Sequence, residues 1–349
     1  MLEQADSKQE EEKIMLYNSL SQGIFIIHEN PEWIPPFAEA FERAKVPFQE
    51  IILTEGAIYL DKEPPKGVFW SRLSASCHTR EHQYTKEYGR AILQWLHSYN
   101  RRVINGSSVL EFEVSKIKQY LALNAAGFLT PKTYACFGKT NLLEVAKTLQ
   151  TPFISKHNQG GKGLGVRLFE NFESFKEYVH SAAFEEAIDG ITLLQEYIKS
   201  KEFFITRAEF IGGKFHYAVR VDTSAGSFEL CPAEACNVES LPKLAGGMCE
   251  IQDSTPAIAG AMCETSGDKF SIREDINAQT PLIAKLEAFL HAHKIEVAGV
   301  EFMENTQGEL VVYDINTNTN YNKSVESKAS HRAADRIVAF LNAEWQKNR

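Results

Sequence analysis

The segment Val311–Asn322, VVYDINTNTNYN, ends a run of β-branched and aromatic residues in an acid, then places asparagine at every second position from Asn316 to Asn322. Upstream, VAGVEFMEN carries Glu301, and a turn-like NTQG joins the two segments. Paired as neighbouring strands, they would bring Glu301, Asp314 and Asn316 to one face. An all-oxygen set on adjacent strands suits Mg²⁺, which keeps waters and shares nucleotide phosphates with one or two protein carboxylates. The alternative is structural: Asp314 and Asn316 end the strand through side-chain to backbone hydrogen bonds, as Asx turns do. Such caps account for one asparagine well and for four alternating ones poorly.

A second constellation is the glycine-rich SKHNQGGKGLGV, with Gly160, Gly161, Gly163 and Gly165 between the strand-like TPFI and GVRLF. Lys162 is followed by Gly163 where a Walker loop needs Ser or Thr, and the spacing and context also fail for a dinucleotide fingerprint. What remains is a strand-loop-strand whose backbone N–H groups could close over phosphates, with Lys156 aiming a compact positive charge at them. A flexible hairpin with a surface lysine is the competing reading. Nearer the N-terminus, FWSRLSASCHTREH clusters Arg72, Ser74, Ser76, His78 and Arg80 between a strand and a helix, where N–H, hydroxyl and guanidinium groups can receive a carboxylate. Equally, Ser76 or Thr79 caps the helix and the arginines are solvated. His28, at a strand end, is read as a packed or capping histidine rather than a base.

Positioning these groups requires an alternating frame. GIFIIHE, FQEIILT and GVFWSRL read as strands, and the segments WIPPFAEAFERAKVP and TKEYGRAILQWLHSYN read as helices, which together predict a parallel Rossmann-like unit to about residue 112. From Ser115 the rhythm changes: SKIKQYLALNAAG is a helix stopped at Gly127, and strands and helices follow to ITLLQEYI. EFFITRAEFIGGKFHYAVRVD predicts a hairpin turning at Gly212-Gly213, and a polar Gly/Ser-rich stretch follows. A helix, the two acid-bearing strands and a final amphipathic helix complete the chain. The expected organisation is a leader over 1–20, a Rossmann-like domain over 21–113, a small lobe over 114–198 and a C-terminal lobe over 199–349 with a mobile loop at 237–267. The fold class is α/β with α+β lobes.

With 349 residues, 44% hydrophobic, the chain can bury more than one core, and its net charge of −9 argues against nucleic acid as a partner. The six cysteines form no C-x-x-C pair or zinc spacing and read as reduced cytoplasmic thiols. No apolar segment approaches the length of a membrane span, and no export signal opens the sequence.

The ordered series VING, SKIKQYLALNAAGFLTPKT, PFISKHNQGGKGLGV, LLQEYI, EFFITRAEFIGGKFHYAVR, GVEF and YDINTN resembles the ATP-grasp superfamily, and within it the RimK-type ribosomal-protein glutamate ligases. The resemblance implies an ATP-grasp fold with an N-terminal Rossmann-like pre-ATP-grasp domain. It implies Lys116 and Lys156 on the ATP phosphates beneath the glycine loop, with Gln195, Glu196, Tyr197 and Ile198 on adenine and Glu202 on the ribose. Glu301, Asp314 and Asn316 correspond to the metal triad, although the family order is Asp then Glu. Arg207 and Arg220 correspond to basic residues able to stabilise phosphoryl charge. A departure follows: the glutamate ligases carry an Arg and Asn pair where LCPAEACN keeps Asn237 and has no arginine, which leaves the amino-acid substrate open.

By that resemblance the chain is an ATP-dependent carboxylate–amine ligase working through an acyl-phosphate, with ATP and two Mg²⁺ ions, a site that Mn²⁺ can also occupy. Its substrates would be amino acids, peptides or small carboxylic acids, with a protein acceptor also open. Arg72, Ser74, Ser76, His78, Arg80, Asn237, Asn318, Asn320 and Tyr321 are the candidate substrate contacts. A homodimer is compatible with the relatives, though no interface signal is present. The competing functions are a non-catalytic ATP-binding regulator and an ATP-grasp kinase or carboxylase.

Overall fold

The computed structural model describes residues 15–161, 163, 165–224 and 269–349. Most of the leader, the loop 237–267 and Asn237 lie outside the described residues. Among the described residues, three sheets account for the strands.

The first is parallel, in the order β2-β1-β3-β4, from β1 (Gly23–His28), β2 (Phe48–Ile52), β3 (Gly67–Ser71) and β4 (Arg102–Ile104). Its crossovers are α1 (Pro35–Ala44) and α2 (Thr85–Ser98). Central β1 is almost wholly buried, as expected for a parallel strand covered on both faces. One face packs under α2 with Phe25, Phe69, Leu93 and Leu96. The other face is closed by α1 and by the last helix of the chain, so Ile24, Ile26, Val68 and Trp70 meet Ile337, Val338, Leu341 and Trp345 in one core.

Two short helices, α3 (Ser107–Glu113) and α4 (Lys116–Ala125), lead out of this unit. Helix α4 is capped by Ser115, whose hydroxyl accepts from Lys118 N–H, and it ends two residues before Gly127, which takes the left-handed φ of 71° that a non-glycine residue resists. The second sheet is antiparallel in the order β5-β8-β6-β7, from β5 (Thr133–Phe137), β6 (Phe153–His157), β7 (Arg167–Phe169) and β8 (Ile191–Glu196). Helices α5 (Leu142–Ala146) and α6 (Phe172–His180) cover one side, with Phe153, Phe169 and Phe175 between them.

The third sheet runs β11-β10-β9-β12-β13, from β9 (Phe204–Ile211), β10 (Lys214–Asp222), β11 (Phe270–Ile272), β12 (Val297–Glu304) and β13 (Leu310–Asn316). The β9–β10 hairpin turns at Gly212-Gly213, both left-handed. Alternation along β9 decides the function of this sheet. Ala208 and Phe210 face α7 (Pro281–Ala292), while Ile205, Arg207 and Glu209 face the other way. Helices α8 (Lys323–Lys328) and α9 (Ala333–Lys347) finish the chain. No helix among the described residues is long and apolar enough to cross a membrane.

Candidate active site

Register sets the centre of the site. Arg207 on β9 lies opposite Glu301 on β12, and Glu301 lies opposite Asp314 on β13, so the three side chains form a row across neighbouring strands on one face. The next row is Glu209, Gly299 and Asn316. The guanidinium of Arg207 gives Nε–H to Glu209 Oε1 at 2.6 Å and Nη1–H to Glu301 Oε1 at 3.0 Å. Asn316 Nδ2 donates to the same Glu301 oxygen at 3.3 Å. Gly299 makes this packing feasible: a Cβ there would lie 2.6 Å from Arg207 Nε.

Helix α4 supplies the first lysine, and its placement follows from hydrogen bonds to the outer edge of β13. Gln119 Oε1 accepts Ile315 N–H at 3.0 Å and its Nε2 donates to Ile315 O at 2.8 Å, while Tyr120 OH donates to Tyr313 O at 2.7 Å. The helix thereby satisfies a strand edge that no further strand pairs among the described residues. Lys116, Gln119 and Tyr120 share one helix face by their i, i+3, i+4 spacing, so the same docking carries the Lys116 ammonium onto the carboxylate of Asp314, with which it pairs. The second lysine comes from β6. Lys156 Nζ bonds Tyr120 OH at 2.6 Å, and Asn158, just past that strand, accepts Ile117 N–H at 2.9 Å, tying the second sheet to the start of α4.

Charge in this cluster is unevenly settled. Burial, reinforced by Lys116, lowers the Lys156 ammonium to about 7. Burial also works to raise Asp314, but the two lysines outweigh it and hold that carboxyl below its ordinary range. Glu301 is raised by burial, with Asp314 adding to the shift and Arg207 opposing it. For Arg207, the neighbouring Glu209 and Glu301 overcome burial, so the guanidinium stays charged.

These groups line one cavity of about 810 Å³, within the range of small-molecule sites. Between the second and third sheets its lining forms an apolar slot, with Ile154, Val166 and Leu168 from the second and Phe203, Ile205 and Met303 from the third. The chain from Gln195 to Ile198 runs along it, with Gln195 Nε2 fixed on Thr133 Oγ1 at 2.5 Å. Lys116, Lys156, Gly160, Gly161, Gly163, Glu301 and Asp314 lie beyond the slot, and Ser74, Ser76, Asn318 and Asn320 also line the cavity.

Other candidates sit outside the wall. Arg72 is fully buried, donating to Thr319 O at 2.7 Å and to Asn320 Oδ1 at 2.8 Å, so it fixes the asparagine segment from behind. Arg80 stacks 4.7 Å from the centre of the Trp33 ring, pairs with buried Glu29 and reaches Ser76 Oγ at 3.3 Å. His78 is half-buried without lining the cavity, and burial lowers its pKa. Tyr321 lies behind the wall, accepting from Thr319 Oγ1 at 2.7 Å. Gly165 packs beside His157, and Glu202 and Arg220, an exposed pair 3.9 Å apart, do not line the cavity. His28 is a packed histidine bonded to Glu50 at 2.7 Å.

Residues that sequence reasoning passed over include Trp33 and Glu113, which line the cavity, and Glu209, Gly299, Gln119 and Tyr120, which build it. Only Gly299 carried a signal, since glycine inside a strand marks a close approach. Glu113 accepts the Thr317 N–H and hydroxyl at 2.8 Å each and Ala75 N–H at 3.2 Å, joining the first unit to the end of β13.

Whether an oxygen-bound cation fits can be judged from the donors. Two directly opposed carboxylates and the amide oxygen of Asn316 make a donor set of oxygen only. That is a fit for Mg²⁺, which takes its remaining oxygens from water and phosphate. Asn316, which presents Nδ2 to Glu301 here, would turn its amide to offer Oδ1.

Two antiparallel sheets closing on a nucleotide-sized cavity, behind a parallel-sheet unit, constitute an ATP-grasp fold. Solved structures agree: a RimK-domain ATP-grasp protein from Sphaerobacter thermophilus DSM 20745 superposes with a TM-score of 0.58 at 15% identity, over 91% of this chain and 99% of that one. D-cycloserine synthetase superposes with a TM-score of 0.63 at 14% identity, over 94% and 100%. A Chryseobacterium gregarium RiPP-associated ATP-grasp ligase, solved with ADP and a leader and core peptide, gives 0.57 at 12%, over 93% and 97%. At these identities the likeness is one of fold. No protein-family model matches the sequence, and no curated protein matches it.

Proposed function

We propose that the protein is an ATP-dependent carboxylate–amine ligase. The observation that carries this is the convergence of Lys116, Lys156, Arg207 and the opposed Glu301–Asp314 pair at one end of a cavity whose other end is an apolar slot. A base fits between the slot walls, where Gln195 to Ile198 offer backbone groups, and the triphosphate then runs toward the lysines. Glu301, Asp314 and Asn316 would hold Mg²⁺, which supplies charge neutralisation on the phosphates.

The chemistry has two balanced steps. A substrate carboxylate oxygen attacks the γ-phosphorus, and the bond to the ADP oxygen breaks. An amine nitrogen then attacks the acyl carbon, the C–N bond forms, and inorganic phosphate departs. No protein nucleophile is needed; positioning and fixed charge provide the acceleration. Lys116 and Lys156 neutralise the transferring group, and Arg207, held flat by Glu209 and Glu301, offers a fixed positive charge beside it. Ser74, Ser76, Asn318 and Asn320 form the wall that meets the carboxylate substrate, an amino acid or a peptide. ATP use and the buried free thiols Cys77 and Cys136 suit the cytoplasm.

The test is phosphate release from Mg-ATP against a panel of amino acids, dipeptides and small acids, with mass spectrometry of each positive. Release requiring a carboxylate and an amine together, with a product lighter by one water, supports the ligase. Phosphorylated product without condensation would make the protein a kinase instead.

A further inference from the structure

A second, smaller pocket adjoins the cavity, and Arg207 and Asn320 line both. Its volume of about 10 Å³ accommodates one water-sized group. Glu209 lies in its wall with Tyr217 and Tyr321, and Val219 and Phe270 provide an apolar side. Glu209 is 2% exposed, and while its Oε1 takes the Arg207 bond, its Oε2 has no hydrogen-bond partner among the described residues. Leaving a buried acceptor unsatisfied costs about 1–3 kcal/mol, and more for a charged one. Such a group is retained where something else brings the donor.

The chemistry around it selects that donor. The Tyr217 hydroxyl is committed to Glu326 at 2.6 Å, and the Tyr321 hydroxyl, which accepts from Thr319 Oγ1 at 2.7 Å, makes no hydrogen bond to Glu209 Oε2. Arg207 is shared between two carboxylates, Glu209 and Glu301, which leaves this corner negative. The carboxylate disfavours an anion, and among the described residues the pocket offers a metal ion a single carboxylate, Glu209. A compact cation with several N–H donors satisfies both size and charge.

We infer that this pocket receives the primary ammonium head of the acceptor amine, an inference that rests on the ligase reading above. Arg207 and Asn320 line both the pocket and the cavity, so the head enters from the cavity beside the guanidinium, and the neutral nitrogen returns there to meet the acyl carbon. The same carboxylate can take the proton that the nitrogen must lose: R-NH₃⁺ and Glu209 carboxylate become R-NH₂ and the carboxylic acid, and the remaining amine proton leaves with phosphate after the C–N bond forms. Burial, which raises the Glu209 pKa, favours that transfer.

The test compares the acceptor amine found in the panel with hydroxylamine, which is uncharged near neutral pH and needs no ammonium site. In Glu209→Gln, kcat/KM for the amine should fall at least ten-fold relative to kcat/KM for hydroxamate formation. An unchanged ratio overturns the inference: if both fall, Glu209 only supports Arg207, and if neither falls, the pocket holds only water. Should Glu209→Gln fail to fold, Val219→Leu, which fills the pocket and leaves the Arg207 pair intact, should lower the same ratio. If the panel yields no acceptor amine and the wild type forms no hydroxamate with any carboxylate, the ligase reading fails and binding decides the pocket. Methylammonium chloride should then raise Tm above an equal concentration of tetramethylammonium chloride, and equal Tm values would overturn the inference.

Discussion

At the residue scale the site is a balance of three cations and three carboxylates in which small changes of geometry or proton count have large effects. Asp314 is the carboxylate paired with Lys116, and Asp314→Asn should cut turnover by at least about a hundredfold while a fluorescent nucleotide still binds; undiminished turnover would remove the metal assignment. Lys156 titrates near 7 because it is buried beside Lys116. A triphosphate favours its charged form, so nucleotide binding should take up a proton above pH 7, and affinity should weaken as pH rises from there. Calorimetry in buffers of different ionisation enthalpy measures the uptake. Lys156→Arg, which stays protonated, should flatten that pH dependence. Gly299 leaves room for the Arg207 guanidinium, so Gly299→Ala should displace it and lower kcat by about a hundredfold with little change in nucleotide affinity. An active Gly299→Ala enzyme would show that Arg207 does not need this seat.

Between elements, the decisive contacts are side chains that stand in for backbone pairing. Gln119 makes three hydrogen bonds, to Phe112 O and to both backbone groups of Ile315, and thereby holds α4 along β13. Gln119→Ala leaves buried backbone groups unsatisfied and should cost about 2–4 kcal/mol, read as a lower denaturation midpoint at unchanged m. Because the same contact places Lys116 over Asp314, turnover should fall further than stability explains. Asn105 acts likewise at the end of β4: it donates to Val297 O and Thr317 O and accepts from Glu296 and Val297 N–H. Its left-handed φ of 55° is one that asparagine tolerates better than most residues.

For the whole molecule, the first and third sheets share one core through α9. Trp345 is buried against that core, and Trp345→Ala should cost about 3–5 kcal/mol. A fragment ending at residue 113 lacks the helix that covers Ile24, Ile26 and Trp70, so it should fail to fold alone; a cooperative melt of that fragment would contradict the shared core. Arg43–Asp335 and Arg102–Glu344 cross the same seam at 2.6 and 2.7 Å.

What the sequence determined by itself was local. A continuous apolar run named β1, the Gly212-Gly213 turn named its hairpin, Gly127 ended α4, and the glycine loop with Lys156 and the Glu301 and Asp314 strands were visible because each is a contiguous pattern whose chemistry is written in neighbouring residues, whereas Lys116 stood out only through the family resemblance. The tertiary structure decided everything that depends on register or on distant packing. Which of Arg72, Ser74, Ser76 and Arg80 face the cavity follows from where β3 ends against the Thr319–Asn320 backbone, and no spacing within that segment reveals it. Glu209 reads as an ordinary acid on an amphipathic strand until pairing buries it, and Glu113 as an ordinary helical acid until Thr317 and Ala75 are brought onto it. The closing helix lies more than two hundred residues from β1 and β3, which it covers, since burial of apolar surface is indifferent to chain separation while sequence pattern is not.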